Sequence, residues 1–294
     1  MSEARRKAPH SAGVIERWVN EYAREQGMVV GRLQRWVWFM IVLAVLDRVR
    51  DEAGEPLFIL KGGAGMELRL RLQARTTKDI DTIFRESTES MLERLDEALQ
   101  AGWNDFTFER TPAASIKNTR SMRLQIKLAY RGQRWGTVPF EMAPAEGEAG
   151  DDVEMLDAVA IEQFGLDGPT RVPCLGVRYQ IAQKIHACTE PPPDGKQENP
   201  RFHDLLDLIL LRELVDQDWA GVRSACVDTF KVRNKQPWPP ELVIYPSWPQ
   251  AFAALAAEHS FDLTDVHEAA RQVGEMIARI DSASDDAWHT GAHP

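Results

Sequence analysis

The chain has 294 residues, 44% hydrophobic and 27% charged, with a formal net charge of −10. That length and balance suit a globular protein with a full core in one large domain or two lobes, and they exclude a disordered chain. No apolar run approaches the ~20 residues of a membrane span. The closest candidate, Trp36 to Leu46, stops at Asp47 and Arg48, and Arg5, Arg6 and Lys7 are not followed by the apolar segment of a secretory signal. Cys174, Cys188 and Cys226 have no Cys-x-x-Cys spacing and read as reduced thiols of a cytoplasmic protein, with neither a disulfide framework nor a zinc site.

Ile15, Trp18, Val19 and Tyr22 recur at three- and four-residue steps, which predicts a helix from Val14 that Gly27 ends. A second helix follows from about Val30 to Arg50. Pro56 to Lys61 reads as a buried strand, Ala64 to Leu72 as a short helix, Asp79 to Arg85 as a strand, and Ser87 to Ala101 as a helix capped by Ser87. Phe106 to Arg110 adds a strand. From Ser121 to Tyr130 the chain alternates, with Met122, Leu124, Ile126 and Leu128 on one face and Arg123, Gln125 and Lys127 on the other. After a turn at Arg131-Gly132, Thr137 to Met142 forms its partner and carries Glu141.

Gly147 to Asp152 is a loop. Gly176 to Thr189 reads as a helix that Pro191-Pro192-Pro193-Asp194-Gly195 ends, and the loop continues through Asn199-Pro200 to a helix at Asp204. Helical patterns fill Trp219 to Arg233, Ser247 to Glu258 and Leu263 to Ile280. The expected organisation is an α/β (α+β) lobe over 1–160 with a mixed sheet, a helical lobe over 161–281, a cleft between them, and a disordered tail over 282–294.

The chemistry concentrates in Leu57-Phe58-Ile59-Leu60-Lys61-Gly62-Gly63 and Thr77-Lys78-Asp79-Ile80-Asp81. Asp79 and Asp81 are two apart, so on an extended strand both point to one face. Two carboxylates beside a turn of bare backbone N–H groups could hold Mg²⁺ and a triphosphate together. Glu141 could complete the carboxylate set. Gly62 and Gly63 would let backbone N–H groups reach phosphates, with Lys61 neutralising charge; a ligand-free strand-to-helix turn is the bland alternative. Lys61 precedes the glycines, so this is not a Walker loop. Lys184, on an apolar helix face with Ile181 and Ile185, either reaches a triphosphate or pairs with a carboxylate such as Asp204. His186 and His203 read as local hydrogen-bonding residues and not as metal ligands.

The negative charge opposes indiscriminate nucleic-acid binding, but it is unevenly spread. Between Arg110 and Arg134 the ionic residues are all basic, namely Arg110, Lys117, Arg120, Arg123, Lys127, Arg131 and Arg134. Arg120, Arg123 and Lys127 could therefore contact an RNA backbone, or form a merely solvated face.

These motifs resemble those of the AbiEii/AbiGii-type (MenT-like) nucleotidyltransferase toxins, a branch of the DNA polymerase β-like superfamily. The resemblance rests on Lys61-Gly62-Gly63, Arg75-Thr76-Thr77-Lys78-Asp79-Ile80-Asp81, Ala182-Gln183-Lys184-Ile185 and the helix start Arg201-Phe202-His203-Asp204-Leu205-Leu206-Asp207, in that order. Gln180 and Gln183 around Lys184, and His203 before Asp204, depart from the family pattern. The resemblance implies a nucleotidyltransferase fold using an NTP and one or two Mg²⁺. Asp79 and Asp81 would be the metal-binding acids, Lys184, Asp204 and Thr77 would belong to the active site, and Thr77 would also be a candidate modification target. It further implies the 3′ end of tRNA as acceptor, blocked aminoacylation, and a cognate antitoxin of a type IV system; a monomer is expected. A small-molecule or protein acceptor, or a non-catalytic binding module on the same scaffold, are the rival readings.

Overall fold

Leu57 to Leu60 is apolar at every position, and such a run finds its place in the middle of a sheet covered on both faces. The structure, a computed structural model, describes residues 6–117, 119–192 and 195–283. Two helices precede that run, α1 (Ala12–Glu25) and α2 (Val30–Leu46). Helix α1 buries Val14, Ile15, Val19 and Ala23 along one stripe, whereas α2 is buried almost all round from Trp36 to Leu46. Gly27, at φ 63°, makes the left-handed turn between them.

The run itself becomes β1 (Phe58–Lys61), followed without a loop by α3 (Gly62–Leu70), then β2 (Ile80–Phe84) and α4 (Thr88–Gln100). Ser87 caps α4 by accepting the Ser90 N–H. Next come β3 (Phe106–Arg110), the short β4 (Ala114–Ser115), β5 (Met122–Tyr130), β6 (Gln133–Pro144), β7 (Val153–Asp157) and β8 (Arg171–Leu175). These form a mixed sheet in the order β3-β5-β6-β2-β1-β8-β7, with β4 on β5. Strand β1 runs antiparallel to β2 and parallel to β8, and β2 runs parallel to β6. Strands β5 and β6 form a hairpin whose loop residues, Arg131 and Gly132, both have positive φ (49° and 76°), the twist that matches flanking strands. Leu124, Ile126, Leu128 and Tyr130 of β5 are buried, while Arg123, Gln125 and Lys127 face solvent.

The remaining helices are α5 (Val177–Thr189), α6 (His203–Arg212), α7 (Trp219–Arg233), α8 (Trp248–Glu258) and α9 (Val266–Ser282). Helix α9 is the clearest amphipathic element, burying Val266, Ala269, Ala270, Val273, Met276, Ile277 and Ile280. Trp248 is fully buried and its Nε1 donates to the Asn199 carbonyl at 2.6 Å. Cys174, Cys188 and Cys226 are buried free thiols, and burial pushes Cys174 up to about 12. Among the described residues no helix is long and apolar enough to cross a membrane.

The chain divides into two units, residues 1–145 with 153–175, and 146–152 with 176–294. A boundary at 160 therefore cuts through the first unit, because β7 and β8 belong to its sheet. Neither strand is evident from sequence: Pro173 sits inside β8 and lacks a donor, and β7 is a half-exposed edge strand. Strand β6 is twice as long as the segment expected, 12 residues from Gln133 to Pro144, since it pairs on both sides. Ser282 ends α9, and the tail expected over 282–294 lies from residue 284 onward, like Pro193 and Asp194 of the proline run, outside the described residues.

Phe140 of β6 is fully buried with its ring 6.5 Å from that of Phe58. Phe140→Ala is expected to cost about 3–5 kcal/mol through lost burial and a residual cavity. Denaturant melts followed by near-UV circular dichroism measure this, and a loss under about 1 kcal/mol would mean that the ring does not anchor the core.

Candidate active site

The site begins with register. Lys61 pairs with Asp81 across β1 and β2, Asp81 with Glu141 across β2 and β6, and Glu141 with Arg123 across β6 and β5. Laterally paired residues share a sheet face. Their neighbours Leu60, Ile80, Phe140 and Leu124 point the other way into the core. A row of charged side chains thus crosses four strands, two acids flanked by two bases: lysine, aspartate, glutamate, arginine.

The first turn of α3 lies on this row. Gly62 has φ 62°, and a Cβ built on it would fall 2.3 Å from Asp81 Oδ2. A Cβ on Gly63 would fall 2.6 Å from Thr77 Oγ1. Only bare backbone fits at either position, and the helix start brings its backbone N–H groups and positive dipole end with it. Asp79 is not on the strand as its spacing suggests; it occupies the bend one residue before β2. What holds it is Thr77, whose hydroxyl donates to Asp79 Oδ1 at 2.8 Å. Thr77 itself is buried.

Arg123 donates to Glu141 Oε2 at 3.0 Å. That hydrogen bond, the Glu141 charge, and the nearby Asp79 and Asp81 raise the arginine pKa. Arg123, read from sequence as an RNA contact, is therefore an ion-pair partner of the acidic row. Neighbouring acids offset other members of the basic run too: Arg110 pairs with Asp96 and Arg131 with Asp105. Among the described residues no acid pairs with Lys117, Arg120, Lys127 or Arg134.

No group of three or more His, Cys, Asp or Glu side chains is gathered as a metal site among the described residues. The expected three-acid set is instead two aspartates and a glutamate engaged by Arg123. Asp79 and Asp81 still fit Mg²⁺: they offer hard oxygen donors, and the missing Cβ at Gly62 lets the Asp81 carboxylate lie against the start of α3.

Glu67 escapes a sequence reading. It is 2% exposed on α3 and accepts the Thr77 N–H at 3.0 Å through Oε1. Burial pushes its carboxyl up to about 7, against the lowering pull of Arg32, the Thr77 N–H, Arg35 and Arg75. The available signal was an acid between Met66 and Leu68 on a short helix whose other ionic residue is Arg69.

In the second unit, Lys184 Nζ donates to Asp204 Oδ1 at 3.0 Å and to Asp207 Oδ2 at 2.6 Å, all three side chains being buried. Arg201 Nε donates to the other Asp204 oxygen at 2.6 Å. Burial would raise the Asp204 carboxyl, but Arg201, Lys184 and His203 together hold it well below the usual carboxylate range. The carboxylate-paired reading of Lys184 thus describes its place in this unit. His186 makes no hydrogen bond at either ring nitrogen and packs edge-on against Phe230, contrary to the hydrogen-bonding role expected; burial lowers its pKa to about 3.

The sequence profile of the family described as "Nucleotidyl transferase AbiEii toxin, Type IV TA system" matches residues 44–285. Among solved structures, the chain is similar to MenT4, a nucleotidyltransferase toxin from Mycobacterium tuberculosis, at 15% identity and TM-score 0.58, covering 95% of this chain and 92% of that one. It is also similar to JHP933 from Helicobacter pylori at 17% identity and TM-score 0.46, with 85% and 91% covered. No curated protein matches it in sequence.

The raised Glu67 pKa has a thermodynamic sign. Between pH 4.5 and about 7 the folded protein keeps a proton that the unfolded chain has lost, so stability falls as pH rises through that window. The full effect is on the order of 3 kcal/mol. Glu67→Gln removes it, so the variant is expected to gain on the wild type from pH 5 to pH 7.5. Denaturation midpoints across that range check this, and a difference independent of pH would contradict it.

Proposed function

Because the chain belongs to the AbiEii family of nucleotidyl transferase toxins, we propose that it transfers NMP from an NTP to the 3′-hydroxyl end of an RNA, tRNA in the first place, with Mg²⁺ at Asp79 and Asp81. Nucleotidyl transfer and membership of a type IV toxin–antitoxin family come with the family; metal, acceptor and residue roles are the proposal. The observation that carries it is the lateral row Lys61, Asp81, Glu141, Arg123 under the bare backbone of Gly62 and Gly63.

The acceptor hydroxyl would lose its proton to water as its oxygen attacks the α-phosphorus, while the bond to the β-phosphate oxygen breaks and pyrophosphate leaves. When bound, Mg²⁺ would supply charge neutralisation on the phosphate oxygens and make the acceptor hydroxyl more acidic. Asp79 and Asp81 would hold it, and Thr77 orients Asp79. The N–H groups of the α3 start, with Lys61, would bind phosphate oxygens. Arg123 is 64% exposed, so its pair with Glu141 is worth at most about 1 kcal/mol and exchanges readily for a phosphate or for a freed Glu141 carboxylate. Arg120 and Lys127, lacking acid partners, would track the RNA backbone. Membership of a type IV family implies an antitoxin as protein partner.

The neutralised arginines favour one second reading, a protein or small-molecule acceptor. Incubation with labelled NTPs, Mg²⁺ and total RNA separates the two. Label is expected in RNA with the wild type and absent with Asp79→Ala; label in protein alone would move the acceptor, and equal labelling by both forms would remove the catalytic assignment.

Gly62→Ala places a methyl group on Asp81 in a backbone conformation that disfavours L side chains. Displacing the carboxylate by an ångström is expected to reduce transfer about 100-fold. Rates measured beside thermal melts check this, and a variant as active as the wild type would count against the glycine contact.

A further inference from the structure

Asp81 and Asp79 are held by different means. Asp81 lies within the ladder between β1 and β6, whereas Asp79 precedes the first laddered residue of β2. Its orientation depends on the Thr77 hydroxyl, and Thr77 depends on what fixes the loop between α3 and β2. Two side chains from outside that loop do so. Glu67 Oε1 accepts the Thr77 N–H at 3.0 Å. Arg32 of α2 donates through Nη2 to the carbonyls of Arg71 at 3.0 Å and Ala74 at 2.9 Å, and the same atom lies 3.5 Å from Glu67 Oε1. Both residues are largely removed from solvent, with side chains 12% and 2% exposed. A buried carboxyl group is costly to keep, and here its Oε1 accepts one backbone N–H beside a candidate metal ligand.

We propose that Glu67 and Arg32 are positioning residues for the metal site, setting the direction of the Asp79 carboxylate through Thr77. The chain of contacts runs from α2 to α3 to the Thr77 backbone, and from the Thr77 hydroxyl to Asp79 Oδ1. Arg32 grips the two loop carbonyls and lies against the Glu67 carboxyl group. Glu67 supplies the acceptor that fixes the Thr77 main chain, and Gly63 leaves room for the Thr77 side chain to lie against α3. Outer contacts of this kind govern how well a carboxylate meets a metal, because they restrict its rotation before binding.

This inference rests on the reading of Asp79 and Asp81 as metal ligands, so the test measures metal binding directly. Mn²⁺ alone is titrated into the full chain and free ion is counted by electron paramagnetic resonance, with thermal melts run alongside. Glu67→Gln keeps an acceptor oxygen and is expected to bind Mn²⁺ within about threefold of wild type, whereas Glu67→Met keeps the volume without the acceptor and is expected to bind about tenfold more weakly. In a Thr77→Val background the link is already cut, so Glu67→Met should then add little.

Wild-type affinity in Glu67→Met, or the same tenfold loss in both backgrounds, would overturn the positioning role. Should Glu67→Met not fold, Arg32→Lys carries the test: it keeps the charge but not the grip on two carbonyls, and unchanged affinity would equally overturn it. If Asp79→Ala binds Mn²⁺ as the wild type does, the metal-ligand reading itself fails, and this inference with it.

Discussion

Two missing side chains organise the first unit. Because Gly62 and Gly63 have no Cβ, the first turn of α3 can rest on Asp81 and Thr77, 2.3 Å and 2.6 Å from where those methyl groups would stand. The strand-to-helix junction is therefore so short that β1 ends at Lys61 and α3 begins at the next residue. Backbone N–H groups and two carboxylates share one small space as a result. Two neighbouring carboxylates repel each other, and a cation bound with a phosphate would relieve that repulsion while the N–H groups face the phosphate.

Charge is handled differently in the two units. Around the acidic row the pairs are partly exposed, as with Arg123 and Glu141, and can exchange partners at little cost. In the second unit Lys184, Asp204 and Asp207 are buried together, with Arg201 on the remaining Asp204 oxygen. Removing one member there leaves uncompensated buried charge, so that cluster ties α5 to α6 firmly. The net charge of −10 says little about either place, since local pairing decides which cations stay available to a polyanion.

The period of the pattern made much of the fold legible. Strict alternation marked β5, three- and four-residue steps marked α1 and α9, and Ser87 marked the start of α4. Strands β7 and β8 were not legible, because an edge strand and a proline-bearing strand carry no such period. The boundary between the units shifted with them.

At the site, the residue types and their spacing along the chain, glycines after Lys61 and aspartates two apart, were enough to suggest carboxylates beside bare backbone, since close approach demands glycine and a hard cation demands oxygen. Which partners those carboxylates meet was decided by tertiary structure alone. Register set Glu141 and Arg123 beside Asp81, and the packing of α2 and α3 brought Arg32 and Glu67 to the loop that carries Thr77. Such contacts join residues from ten to sixty positions apart, and local sequence carries no periodic trace of them, because pairing across strands and between helices depends on the whole sheet being assembled.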